Sequence, residues 1–103
     1  MARGFFHWLS DRDRLRIRFT VQKGRVTQLV VQYEALIGER WEPIVRYDTA
    51  HGYLHRDLYR HGQEEPLKEA ISVVDLGDGL TQAIEDLRQH WQLYKRRFLG
   101  EEV

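Results

Sequence analysis

The chain has 103 residues, 42% of them apolar and 31% charged, enough for one modest core that buries roughly two thirds of the surface its unfolded form exposes. Charge so dense and so evenly mixed excludes both a membrane-spanning helix and a disordered tail. Sixteen basic residues balance sixteen acidic ones, so net charge argues neither for nucleic acid nor for membrane; without cysteine there is no disulfide, thiolate nucleophile or Cys-ligated zinc.

The first feature is an apolar patch of Phe5, Phe6, Trp8 and Leu9, interrupted by His7. It is too short for an export signal, so the expected location is the cytoplasm with no membrane contact. Residues 1–9 read as an aromatic arm that precedes the sheet and either covers its edge or meets a partner. Leu15, Ile17, Phe19 and Val21 then alternate with Arg14, Arg16, Arg18 and Thr20, the period of a half-buried strand. A second run alternates Leu29, Val31, Tyr33 and Ala35 with Val30, Gln32 and Glu34. A two-residue turn at Lys23-Gly24 would mix the two faces, so the expected loop is Gln22, Lys23 and Gly24, with Ile17 opposite Leu29 and Leu15 opposite Val31.

Residues 41–48 read as a third strand, with Trp41, Val45 and Tyr47 in the apolar register and Pro43 marking an edge or a start. Residues 49–52 turn the chain into a fourth strand over 53–60, and residues 70–74 are apolar and β-branched enough for a fifth. The strongest signal is the last. Leu80, Ile84, Leu87, Trp91, Tyr94 and Phe98 recur at helical spacing, with Asp78 as the expected N-cap, Lys95 to Arg97 near the last turn and Gly100 as the stop. The prediction is a single α+β domain over 1–103: an antiparallel β-meander of four or five strands over 13–74, packed on one long C-terminal amphipathic helix over 79–99. The helix is expected to cover the face carrying Leu15, Ile17, Phe19, Val31 and Tyr33, with Trp41 and Trp91 in the core.

Charge is unevenly spread. Residues 1–25 carry seven basic side chains against two acids, and residues 63–94 two against seven, which makes the first hairpin basic and the approach to the helix acidic. Arg14, Arg16 and Arg18 project from one strand face at roughly 6.6 Å intervals, near the phosphate spacing of a single strand. They are the candidate nucleic-acid-binding residues, with Arg46 joining them beside Gln28 and Gln32. The wet face of a one-sided sheet has to be polar in any case.

Polar chemistry is densest over 46–61. Histidine beside arginine and carboxylate is the set that metal-independent phosphodiester cleavage requires: a general base, a general acid and a cation for the phosphorane charge. The candidate catalytic residues are Arg46, Asp48, His51, His55 and Arg56, although His55 and Asp57 share one strand face and Arg56 lies on the other. Asp48, His51 and His55 can also converge as metal ligands across the turn, but no established spacing such as H-E-x-x-H is present. Asp48 as a turn cap with solvated histidines accounts for the same residues, and no metal or other cofactor is expected.

The stretch from Arg46 to His51, read with His55, resembles the RYD-x-A segment and following histidines of the TumE-like toxin family of small bacterial proteins. Arg46 to Gly52 with His55 to Asp57 is also similar to a bacterial group sharing an RYD-x-A-H-G and H-R-D pattern. The match covers about twelve residues, and Thr49 stands where the family usually has asparagine. The resemblance implies a small α+β toxin with an antitoxin protein as partner and an RNA-directed activity. Two readings follow: a toxin-like or RNA-interacting domain, and a non-catalytic interaction module able to form a homo-oligomer, in which the same residues hold a turn.

Overall fold

Period-two alternation sets the strands, and short connections between them leave antiparallel pairing as the available arrangement. The computed structural model describes residues 1–101, so the last two positions of the single predicted domain lie outside the described residues. The strands are β1 (Ala2–Ser10), β2 (Asp13–Gln22), β3 (Arg25–Ile37), β4 (Arg40–Asp48), β5 (His55–Leu58) and β6 (Leu67–Ala70), followed by one helix, α1 (Leu76–Phe98). They form one six-stranded sheet in the order of the chain, an antiparallel meander closed by the helix as expected, but with six strands in place of four or five.

The additional strand is the aromatic arm. β1 pairs with β2 from Ala2 opposite Thr20 to Ser10 opposite Asp13, so residues 2–10 are an integral edge strand. Its sequence hides this because large side chains occupy both faces: Phe6 and Trp8 on one, Phe5 and His7 on the other. The later strands are shorter than expected: β5 covers His55–Leu58 instead of 53–60, and β6 covers Leu67–Ala70 instead of 70–74. Ile71 still donates its amide to the Leu54 carbonyl at 2.9 Å.

The hairpin register also differs from expectation. Lys23 and Gly24 both have positive φ, 52° and 76°, the pair of left-handed residues that a two-residue type I′ turn requires. Face mixing is avoided by a bulge on β3 at Thr27, between Val21 opposite Val26 and Thr20 opposite Gln28. Beyond it Ile17 faces Val31, Leu15 faces Tyr33 and Phe19 faces Leu29. The apolar faces are as read; the partners shift by two residues. A second bulge, at Ile44, separates Tyr33 opposite Val45 from Glu34 opposite Pro43. It buries Ile44 and Val45 together and turns Trp41 away from the core, onto the arginine face, where its ring lies 3.9 Å from the Arg14 guanidinium carbon.

α1 lies against β3 and β4, over the face of Leu15, Ile17, Val31, Tyr33, Val45 and Tyr47, all buried. It starts three residues earlier than expected: Asp75 is the N-cap, its Oδ1 accepting from the Asp78 amide at 2.9 Å. Gly77 and Gly79 weaken the helical signal there. The centre of the buried stripe is Gly79, Ala83 and Leu87, with Leu80, Ile84, Trp91 and Tyr94 half-buried on its flanks. Trp91 meets Tyr33 edge to face at 6.0 Å between centroids. Among the described residues no helix is long and apolar enough to cross a membrane.

Candidate functional site on the helix-free face

Because β4 and β5 pair with Asp48 opposite His55 and Arg46 opposite Asp57, alternation places these four side chains together on the face away from α1. His55 Nε2 lies 3.0 Å from Asp48 Oδ1 and 3.8 Å from Asp57 Oδ1. All three residues are buried to about 4% exposure or less. Arg46 Nε donates to Asp48 Oδ2 at 2.6 Å and its Nη1 to Gln32 Oε1 at 3.2 Å. The Ala50 amide donates to Asp48 Oδ1 at 2.9 Å, the Asx-type cap read from the sequence. Burial pushes the Asp48 carboxyl upward, but the Ala50 amide, the Arg46 guanidinium and His55 together outweigh it and hold the carboxyl below its ordinary value.

Asp57 is served differently. Its hydrogen bonds come from Lys68 Nζ, at 3.2 and 3.4 Å, and that ammonium sits on a half-exposed side chain of β6. The Tyr59 hydroxyl is raised above its ordinary value by burial and then by the negative charge of Asp57, which places the phenol within electrostatic reach of the cluster. His55 Nδ1 is buried and has no hydrogen-bond partner among the described residues. His51 is exposed in the turn, its ring centroid 5.6 Å from that of His55.

The structure therefore unites Arg46, Asp48 and His55, keeps His51 at their margin, and separates Arg56. On the opposite sheet face Arg56 pairs with Glu69, donates to the Tyr94 hydroxyl at 2.9 Å and lies 3.7 Å from Asp86. Tyr47 and Tyr94 both donate to Asp86 Oδ2, at 2.7 and 2.6 Å. This network bolts α1 to the sheet. Burial, followed by the bond to Asp86, raises the Tyr47 hydroxyl to about 12. Adjacent positions on a strand cannot share a face, so Arg56 is removed from the candidate set.

The arginine row is also divided. Arg14, Arg16 and Arg18 share the face of Arg46, as expected, but Arg14 is largely covered. Its Nε donates to the buried Glu34 at 2.6 Å, and its guanidinium lies between the Phe6 ring, 4.3 Å from the centroid, and the Trp41 ring. Arg16 is half-exposed, 3.6 Å from Glu34, and Arg18 is exposed. Beside the buried cluster an open cleft of about 250 Å³ is lined by Arg18, Thr20, Gln28, Arg46, Asp48 and Thr49, among others.

Asp57, Lys68, Tyr59 and Glu34 were absent from the sequence-derived set. A signal for Asp57 existed: Arg46-x-Asp48 and His55-x-Asp57 are complementary i, i+2 pairs. They meet only if the two strands pair in the register that makes Asp48 face His55.

A single-layer meander with a helix on one face and a buried Asp-His-Asp cluster beside a basic cleft on the other defines an α+β domain whose candidate chemistry lies on the open side of its sheet. The chain belongs to the family described as domain of unknown function DUF7718, whose model matches residues 1–103. No curated protein and no solved structure matches the chain.

Proposed function

We propose that this chain is a small toxin-like domain that engages single-stranded RNA on the helix-free face of its sheet and is paired with an antitoxin protein. The observation that carries the reading is the cleft in which Arg18 and Arg46 stand beside Asp48, next to the buried His55. Two guanidinium groups suit phosphate oxygens, and half-exposed Phe6 and Trp8 suit base stacking further along the same face. The resemblance of residues 46–51, read with His55, to TumE-like toxins supports the same class.

The roles within the set follow from exposure. The Nε2 of His55 faces Asp48 and its Nδ1 is enclosed, so His55 is a positioning residue that fixes the turn. Proton transfer to or from a phosphodiester falls to His51, exposed at the margin of the cluster. The test is fluorescence anisotropy with single-stranded RNA, together with cleavage of the same RNA by wild type and His51→Ala. Binding at low salt that weakens in Arg18→Ala is expected. Absence of binding at low salt removes the RNA reading.

A second reading, a non-catalytic interaction module, is favoured by β1. Its outer edge is unpaired among the described residues, and it carries Phe5, Phe6 and Trp8, each roughly half exposed, the profile of a strand that pairs with another chain. Light scattering that shows a dimer lost on Phe6→Lys, with no RNA affinity in either form, would select this reading.

A further inference from the structure

We infer that Asp48, His55 and Asp57 form a binding site for one divalent transition-metal ion, with zinc or manganese favoured over magnesium. One donor atom from each residue lies within 4.8 Å of the other two. Bonds of roughly 2.0–2.2 Å to nitrogen and oxygen donors place neighbouring ligands of one ion about 3 to 3.5 Å apart, and the two histidine-to-carboxylate separations, 3.0 and 3.8 Å, bracket that range. An imidazole nitrogen with two carboxylates suits a first-row transition ion better than magnesium, which takes oxygen and keeps its waters.

The protein's own groups serve the three ligands unevenly. With its hydrogen on Nε2, His55 donates to Asp48 and leaves Nδ1 as a buried acceptor without a donor. With its hydrogen on Nδ1, that donor is unpaired and the Nε2 lone pair faces two carboxylates. An ion bound at Nε2 requires the hydrogen on Nδ1 and replaces the repulsion between the Nε2 lone pair and the two carboxylates with ligation of all three; Nδ1 itself points away from the ion. Asp57 is a buried carboxylate whose hydrogen bonds come from the half-exposed Lys68 ammonium, at 3.2 and 3.4 Å. A dication at the Nε2 side would take the place of Lys68 as the counter-charge of Asp57, with Asp48 keeping its bond from Arg46, and would release Lys68 to solvent at little cost. The ligands sit at positions 48, 55 and 57, on two strands joined by a turn, so no helical H-x-x-x-H spacing announces them.

This inference rests on its own geometry and is tested without RNA, so its outcome is separable from that of the RNA reading. The full chain, stripped with chelator, is titrated with zinc, manganese and magnesium by calorimetry. The expected result is one zinc or manganese ion per chain, a higher melting temperature, and weaker binding of magnesium. Asp57→Asn should weaken zinc binding at least ~100-fold, more than the loss of an outer-shell partner causes, while Lys68→Ala should tighten it severalfold by removing a competing cation. Nitrogen-15 NMR of the imidazole rings covers the case in which Asp57→Asn fails to fold: zinc should move the His55 resonances first. No stoichiometric binding, zinc affinity unchanged in Asp57→Asn, or shifts confined to the exposed histidines would overturn the site.

Discussion

Asp48 and His55 stand directly opposite one another across β4 and β5, with Asp48 Oδ1 3.0 Å from His55 Nε2. One carboxylate thereby ends a strand, caps the following turn through the Ala50 amide, and anchors the first residue of the next strand.

Asp48 should therefore make a pH-dependent contribution to stability. Its folded carboxyl is held below its ordinary value of 3.8, so its contribution is complete above that value and is lost as pH falls through the lower, folded one. Asp48→Asn should cost about 1–3 kcal/mol at neutral pH. Urea unfolding of both proteins at pH 7 and below pH 3 should show the gap narrowing in acid.

The two ends of the arginine row should separate structure from binding. Arg14→Ala removes the shortest ion pair of the buried Glu34 carboxylate, leaving it Gln32 and the more distant Arg16, and empties the space between Phe6 and Trp41, at a cost of about 1–3 kcal/mol. Arg18→Ala should leave the midpoint of unfolding within about 0.5 kcal/mol and lower the salt slope of RNA binding by ~0.7 on a log–log scale. Chemical denaturation and anisotropy across salt concentrations measure the two effects.

At Gly79 the helix approaches the loop before β5 so closely that a Cβ would sit 2.9 Å from Leu54 Cδ2 and 3.5 Å from Val73. Gly79→Ala gains ~1 kcal/mol of helix propensity but overpacks a buried leucine at about 1–3 kcal/mol, for a net loss. Leu54→Ala alone should cost about 2–5 kcal/mol. Adding Gly79→Ala to it should be stabilising, since the clash is gone, and a double-mutant cycle reads that reversal of sign.

Four of the five tyrosines should resist ionisation. Burial is the leading cause at Tyr33, Tyr47, Tyr59 and Tyr94, reinforced by the Asp13 or Asp86 carboxylate at Tyr33, Tyr47 and Tyr94 and by Asp57 at Tyr59. Folded values above the unfolded value of 10.0 mean that this stability is complete below pH 10 and drains as pH rises through the folded values, about 12 for Tyr47. Absorbance at 295 nm should rise late and cooperatively with loss of circular dichroism. Asp86→Asn should move that transition to lower pH.

Alternation with period two and a helical stripe from Leu80 to Phe98 determined the fold class, the polar and apolar faces of β2 and β3 and of β4 from Val45 onward, and the presence of one covering helix, because those patterns are the local signature of one-sided burial. They also placed Asp48 at a turn and put His55 and Asp57 on one face. Tertiary structure decided the rest. The bulges at Thr27 and Ile44 are choices of pairing between strands; they set the register and moved Trp41 to the arginine face. β1 became a strand because β2 offered it a partner, which its own unpatterned sequence does not record. The site is the extreme case: Asp57 and Lys68 belong to it through cross-strand registers that no single strand encodes, whereas Arg56 falls outside it by alternation within β5 alone. Local sequence fixes which way a side chain points. Which side chains it meets there depends on partners brought together from other parts of the chain.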